Sequence, residues 1–371
     1  MFALHRFDEY PRRLRLCVAF NIATNLVFAA VYCAPITNAA EIVFPATEWV
    51  TKAPSELGLD PARLEAVAQA LGSRGCVIKN GYIVKMWGAQ DKKGDLFSSA
   101  KPVLSTLLMF AVKEGKVKDF DQPLVDFGWP LDPKDRTMTL RHLASMTSGY
   151  ARPEEPGKAW AYNDYAIQLY QQTLFDKVFQ APPESVFHDP QRFGALQLQD
   201  GFSFRQKNRR MSASVRDFAR VAWFWLNRGN WNGRQLLPRS YFDDNMRPQV
   251  PEDLALSSDA PTNDYLHIGT YGGESNHFSK AGPGVYGFNW WFNATGGKHP
   301  NVLTWPDAPR DTVMSLGLHG NCSAMIPSLN IVVVAADANW GDNTPGQADS
   351  PLNQHLKLIT TAGTTLTPAA R

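Results

Sequence analysis

"LFSSAKPVLSTLLMFAVKEGK" runs from Leu96 to Lys116. Val103, Leu104, Leu107, Leu108, Ala111 and Val112 recur at helical spacing and form one apolar face, with Gly115 as a stop. Pro102 lacks an N–H and is comfortable only in a first turn, so the helix starts close to Ser98. A serine there stands among free backbone N–H groups at the positive end of the helix. Lys101, three residues on, shares its face and reaches the hydroxyl, although Pro102 biases Lys101 away from helical geometry. Two readings are open: a helix cap beside a solvated lysine, or a nucleophile beside its proton acceptor. With 20 serines and 16 lysines in 371 residues, chance alone supplies about one Ser-x-x-Lys match. The tetrapeptide does not choose.

The composition narrows the choice. A hydrophobic fraction of 44%, with 21 Phe and 11 Trp, is ample for a packed core and excludes a disordered chain. Residues 1–39 stand apart: Arg12, Arg13 and Arg15 precede the apolar run "LCVAFNIATNLVFAAVYCA" and the small-residue stretch "PITNAA". That order predicts a secretory signal cleaved after Ala39 and a periplasmic or secreted protein, with an uncleaved anchor as the alternative. Only in that alternative is a membrane a partner. Four Arg against Asp8 and Glu9 give this segment a net charge of +2, which leaves the remaining chain neutral. A neutral chain has no general attraction for nucleic acid. Cys76 and Cys322 remain after cleavage, either as one disulfide or as two buried thiols.

Strand signals lie at the two ends of the chain. "CVIKNGYIVKMWG" (Cys76–Gly88) is a hairpin turning at Asn80–Gly81, and "YGFNWWFNA" (Tyr286–Ala294) and "NIVVVAADA" (Asn330–Ala338) each read as one strand. Helical patterns lie between them. "TMTLRHLASMTSGY" stops at Gly149, and "SASVRDFARVAWFWLNRG" opens on a serine cap and closes on Gly229. The expected fold is of the α+β type, an antiparallel sheet closed by the two ends of the chain and flanked by helices. The domain spans 40–371, with a sheet part near 40–100 and 205–371 and a mainly helical insertion near 101–204. The Pro- and Gly-rich stretch from Met246 to Gly287 reads as loops bordering a cleft.

Five segments, taken together, select the active reading of Ser98. "FSSAKPVLSTLLMFAVKEGKVKDFDQPLVDF", "MTLRHLASMTSGY", "WAYNDYAIQLY", "MSASVRDFARVAWFWLNRGNWNGRQLL" and "LGLHGNCSAMIPSLNIVVVA" fall in the order and spacing of one family. The chain resembles the serine β-lactamase-like hydrolases over residues 55–345, a group that includes class C β-lactamases, D-alanyl-D-alanine carboxypeptidases and esterases. The resemblance implies that Ser98 is acylated and that Lys101 activates it. Tyr162 opens the family's Tyr-x-Asn motif and would share proton transfer, helped by a cation that favours phenolate. The last motif, Lys or His, then Thr or Ser, then Gly, falls within Leu318–His319–Gly320–Asn321. Of two registers, Leu318–His319–Gly320 keeps glycine third and makes the Asn321 N–H an oxyanion donor beside that of Ser98.

Two departures from the family pattern bear on function. Asp164 stands where the family carries Asn; facing the cleft, it would hold Lys101 as an ammonium and shift the base role to Tyr162. The last motif lacks the Lys and the Thr or Ser that receive the carboxylate of a β-lactam, so efficient β-lactamase activity is not expected. The expected activity is hydrolysis of a small ester, amide or peptide through an acyl-enzyme. The alternative is a non-catalytic, penicillin-binding-like protein that recognises a wall peptide. The eight histidines show no metal-ligand spacing, and no phosphate-binding glycine loop or Gly-x-Ser-x-Gly elbow occurs, so neither metal nor cofactor is expected.

Overall fold

The computed structural model describes residues 42–272 and 281–363. The segment read as a signal or anchor, residues 1–39, lies outside them. Among the described residues no helix is long and apolar enough to cross a membrane.

A seven-stranded antiparallel sheet organises the chain: β1 (Arg74–Lys79), β2 (Tyr82–Trp87), β3 (Tyr286–Gly287), β4 (Trp290–Phe292), β5 (Val313–Gly317), β6 (Asn321–Ile326) and β7 (Ile331–Ala336). Their spatial order is β3-β4-β5-β6-β7-β1-β2, so the first and last strands of the sheet along the sequence, β1 and β7, pair with each other. This is the antiparallel α+β architecture expected. Asn80 and Gly81 both take positive φ (54° and 90°), which closes the β1–β2 hairpin as Asn-Gly pairs do.

Strands β6 and β7 are buried along their whole length, because helices cover the sheet. The Val215–Leu226 helix packs on β1, β6 and β7, while the Pro61–Leu71 and Pro351–Thr361 helices pack on each other. Ser214 caps the first of these through the Asp217 N–H, two residues past the serine that opens the quoted stretch, Ser212, which lies in the Met211–Ala213 strand. Its far end closes on Arg228 (φ 52°) and Gly229, whose N–H reaches back to the Phe224 carbonyl.

Four expectations are corrected. The stretch Tyr286–Ala294 is a hairpin, β3 and β4, rather than one strand. Phe288 (φ 46°) and Asn289 (φ 69°) form its turn, a conformation that alternating apolar residues conceal. Burial of the Phe288 ring against Phe120 and the bond from Ser105 Oγ to Asn289 Oδ1 (2.7 Å) hold it there. The helix in "TMTLRHLASMTSGY" covers only Leu140–Ala144 and ends before Met146 (φ 62°), so Gly149 is not its stop. The Lys101–Lys113 helix is buried on every side through Ala111 rather than amphipathic. Lys101 itself is helical (φ −56°, ψ −39°) despite Pro102.

Sheet register excludes the disulfide. Cys76 pairs with Val334 and Cys322 with Ala335, neighbours on β7 that face opposite sides of the sheet. Both thiols are free and buried.

Candidate active site

Ser98 lies in a 3₁₀ turn, Phe97–Ala100, that runs directly into the Lys101–Lys113 helix. Phe97 is left-handed (φ 50°), a strain of about 1–2 kcal/mol for a residue with a side chain. Three contacts hold it: its N–H donates to Asp95 Oδ1 (2.8 Å), its carbonyl accepts from Tyr271 (3.3 Å), and its ring stands edge-on to His319. The turn thus presents Ser98 at the floor of a cavity of about 320 Å³.

The short helix after Thr139 positions the second element. Just past its end, the Met146 carbonyl accepts from the Ala161 N–H (3.1 Å), which ties down the strand before Tyr162. Asn163 then caps the Asp164–Gln172 helix, accepting from the N–H groups of Tyr165 (2.9 Å) and Ala166 (3.2 Å). Tyr162 and Asp164 therefore flank a cap, and both line the cavity with Ser98.

Three oxygens surround the Nζ of Lys101, which is wholly buried: Ser98 Oγ at 2.7 Å, Tyr162 OH at 2.7 Å and Asp164 Oδ1 at 2.6 Å. An ammonium has three hydrogens, so each oxygen can take one. Asp164 faces Lys101 in the way the sequence reading set as its condition for an ammonium. The expected help toward a phenolate is overturned. Burial pushes the Tyr162 hydroxyl well above the ordinary tyrosine range, the Asp164 charge adds to this, and only its bond with Ser98 opposes. With the carboxylate beside it, the lysine does not present Tyr162 with an uncompensated cation.

The third motif is also corrected. His319, Gly320 and Asn321 belong to the turn between β5 and β6 and its exit, not to the cavity wall; His319 is left-handed (φ 57°). The Asn321 side chain is spent on the turn, donating to the Leu318 carbonyl (2.9 Å). Leu316, Gly317 and Leu318 form the wall instead. A Cβ on Gly317 would stand 2.6 Å from the Leu96 carbonyl and 2.9 Å from Ser99 N, so only glycine lets β5 lie against the nucleophile turn. Both registers weighed in the sequence lay within Leu318–Asn321, so Gly317 was missed, although a glycine at that position was itself the signal.

Arg210, Tyr271 and Trp291 complete the cavity, and sequence reasoning singled out none of them. Tyr271 comes from the loop stretch read as bordering a cleft. Trp291 stacks on Tyr162 (ring centroids 5.7 Å, 24°) and fixes its ring plane. No group of His, Cys, Asp and Glu suited to a metal occurs among the described residues.

The fold is that of solved serine β-lactamase-like proteins, and a family model agrees over part of the chain. The family described as Beta-lactamase matches residues 66–192, the part that carries Ser98, Lys101 and Tyr162. No curated protein matches the chain. Among solved structures, a putative beta-lactamase from Bacteroides dorei is similar at 16% identity and a TM-score of 0.59, covering 82% of this chain and 99% of its own. A putative 6-aminohexanoate-dimer hydrolase from Bacillus anthracis is 15% identical, with a TM-score of 0.55 and 87% of each chain covered. A beta-lactamase/D-alanine carboxypeptidase from Yersinia pestis is 16% identical, with a TM-score of 0.54 over 83% of this chain and 100% of its own. At these identities the likeness is one of fold. The resemblance drawn from the five segments is borne out.

Proposed function

We propose that the protein is a metal-independent serine hydrolase that cleaves an ester or amide through an acyl-enzyme on Ser98. The observation that carries this reading is the approach of Lys101 Nζ to both Ser98 Oγ and Tyr162 OH, 2.7 Å each, at the floor of a cavity. Ser98 attacks the carbonyl carbon. Its proton passes to Lys101 as the ammonium hands one of its own to Asp164, so charge moves while Lys101 stays protonated. The proton returns through Tyr162 to the leaving oxygen or nitrogen, and water repeats the sequence to release the acid. Backbone N–H groups of Ser98 and Leu318, both lining residues of the cavity, are the candidate oxyanion donors.

The wall at Leu316–Leu318 offers no side-chain hydroxyl or cation, which argues for little turnover of β-lactams. A second reading is supported by one observation. The Lys101–Asp164 pair ties up the amine, and the Tyr162 phenol is held neutral, so Ser98 lacks a ready base and the cavity would bind without turnover.

Incubation with a serine-reactive fluorophosphonate, adduct mapping by mass spectrometry, and p-nitrophenyl acetate hydrolysis beside Ser98→Ala separate the two. The hydrolase reading expects an adduct on Ser98 and turnover lost in the variant. No adduct and equal rates for both proteins would leave the binding reading.

A further inference from the structure

We propose that a second cavity, at the opposite end of β5 from Ser98, binds the phosphate group of a small anion, either free phosphate or a phosphate monoester. The site uses no group of the hydrolase machinery.

Strands β4 and β5 contribute to both cavities. Trp291 and the last residues of β5, Leu316 and Gly317, line the cavity of Ser98. The next residue on β4, Phe292, and the first of β5, Val313, line a separate cavity of about 280 Å³.

Three arginines stand on the wall of this second cavity: Arg228, Arg247 and Arg310. Arg228 follows the Val215–Leu226 helix, and its side chain is only 22% exposed. Nη1 is buried, and it has no hydrogen-bond partner among the described residues. The one ion pair of Arg228, from Nε to Asp243 Oδ1, is long at 3.8 Å, and Asp243 stands closer to the exposed Arg239, at 3.3 Å. Thr312, 1% exposed, lines the same cavity, and its hydroxyl has no partner among the described residues. Buried donors left without an acceptor are costly, and an anionic ligand supplies the acceptor.

The segment that carries Arg310 and Thr312 is fixed in advance. The buried Asn293 donates through Nδ2 to the carbonyls of Trp305, Ala308 and Pro309, at 3.0 Å each. The Thr312 N–H donates to the Pro309 carbonyl (3.0 Å) and closes a turn with Arg310 and Asp311 at its centre. Asp311 also lines the cavity, but Ser328 engages both of its oxygens, at 2.6 and 2.9 Å. With Arg239, Asp243 and Asp244 of the neighbouring Arg239–Asn245 helix counted in, four arginines face three carboxylates, a surplus of one positive charge.

The donors come from three separate segments, at residues 228, 247 and 310–312. That arrangement suits a tetrahedral anion, whose oxygens point several ways, whereas one fork is enough for a planar carboxylate. Met246, Phe292 and Val313 are buried and make the remaining wall apolar, so a small hydrocarbon or aryl body fits beside the phosphate.

Calorimetric titration with inorganic phosphate and with phenyl phosphate, at one fixed ionic strength, tests this. One equivalent should bind saturably, and Arg228→Gln and Arg310→Gln should each weaken binding about tenfold or more. Tighter binding of phenyl phosphate assigns a monoester as the ligand, and equal or weaker binding assigns free phosphate. No saturable binding of either compound overturns the proposal, as does binding that folded Arg228→Gln leaves unchanged. Arg310 is exposed. If thermal unfolding shows that Arg228→Gln does not fold, unchanged binding in Arg310→Gln overturns the proposal instead. Neither arginine lines the cavity of Ser98, so every outcome leaves the hydrolase reading to its own test.

Discussion

Lys101 Nζ and Asp164 Oδ1 stand 2.6 Å apart, with 0% and 5% of their side chains exposed, at the centre of the candidate site. A charge pair this well buried sets the protonation state of everything it touches, and it governs the first prediction. In the proposed mechanism the carboxylate is the final proton acceptor, and Asp164→Asn removes it. The kcat for p-nitrophenyl acetate should then fall by about a hundredfold to ten-thousandfold, the usual contribution of a positioned proton acceptor. Denaturation in urea should show a loss of about 3 kcal/mol, because the buried Lys101 loses its partner. An unchanged kcat counts against Asp164 as the acceptor.

Tyr162 gives a second prediction. Its hydroxyl is raised above the ordinary tyrosine range, chiefly by burial, so it stays a phenol through neutral and mildly alkaline pH. Tyr162→Phe should lower kcat by about a hundredfold to ten-thousandfold without removing any limb below about pH 10. A limb that disappears in this range with the hydroxyl would show that Tyr162 titrates there.

Gly317 fixes the distance between β5 and the Ser98 turn. In Gly317→Ala the added carbon meets the Leu96 carbonyl and Ser99 N below 3 Å, and backbone cannot yield as a side-chain tip can. Overpacking of this kind costs about 1–3 kcal/mol. Displacement of the turn should cost esterase rate by a larger factor than the fall in stability alone explains. Equal kcat/KM in the two proteins would refute this.

The β3–β4 turn supplies a stability test remote from the chemistry. Asn289→Gly keeps the left-handed backbone but removes the acceptor of the buried Ser105 hydroxyl and the donor to the buried Tyr286 hydroxyl, at a cost of about 1–3 kcal/mol. Asn289→Ala should cost about 1 kcal/mol more, from the backbone alone. Equal unfolding midpoints for the two variants would mean that the turn stores no such strain.

Cys76 and Cys322 are both raised to about 12 by burial. At about pH 8 only about one in ten thousand of either thiol is ionised, and neither is accessible. Peptide mapping after iodoacetamide should find both unmodified in the folded protein and both alkylated in denaturant. A disulfide between them, or rapid alkylation of the folded chain, would contradict the sheet register.

Local chemistry was legible in the sequence wherever it depended on neighbours along the chain. Asn80–Gly81 had to turn, a serine had to cap the helix that ends at Gly229, and Pro102 placed Ser98 and Lys101 in one helical turn, because each effect acts within about four residues. The order of the five segments carried the fold and the pairing of Ser98, Lys101 and Tyr162 with it. What the sequence left open depended on groups distant along the chain and close in space. That β5 sets Gly317 against Ser98, ahead of the Leu318–Asn321 segment read from the sequence, is decided by the packing of the strand on the Leu96–Ser99 turn. The Lys101 amine is partnered by a carboxylate 63 positions away along the chain, and the Tyr162 phenol is held neutral by burial. Arg210 reaches the cavity because the Phe97 ring and Asp95, over a hundred residues earlier, hold it there. Sequence fixed which chemical groups are present and how each local turn begins and ends. Only the tertiary structure, by excluding water and bringing charges within hydrogen-bond distance, decided what those groups face and in which ionic form.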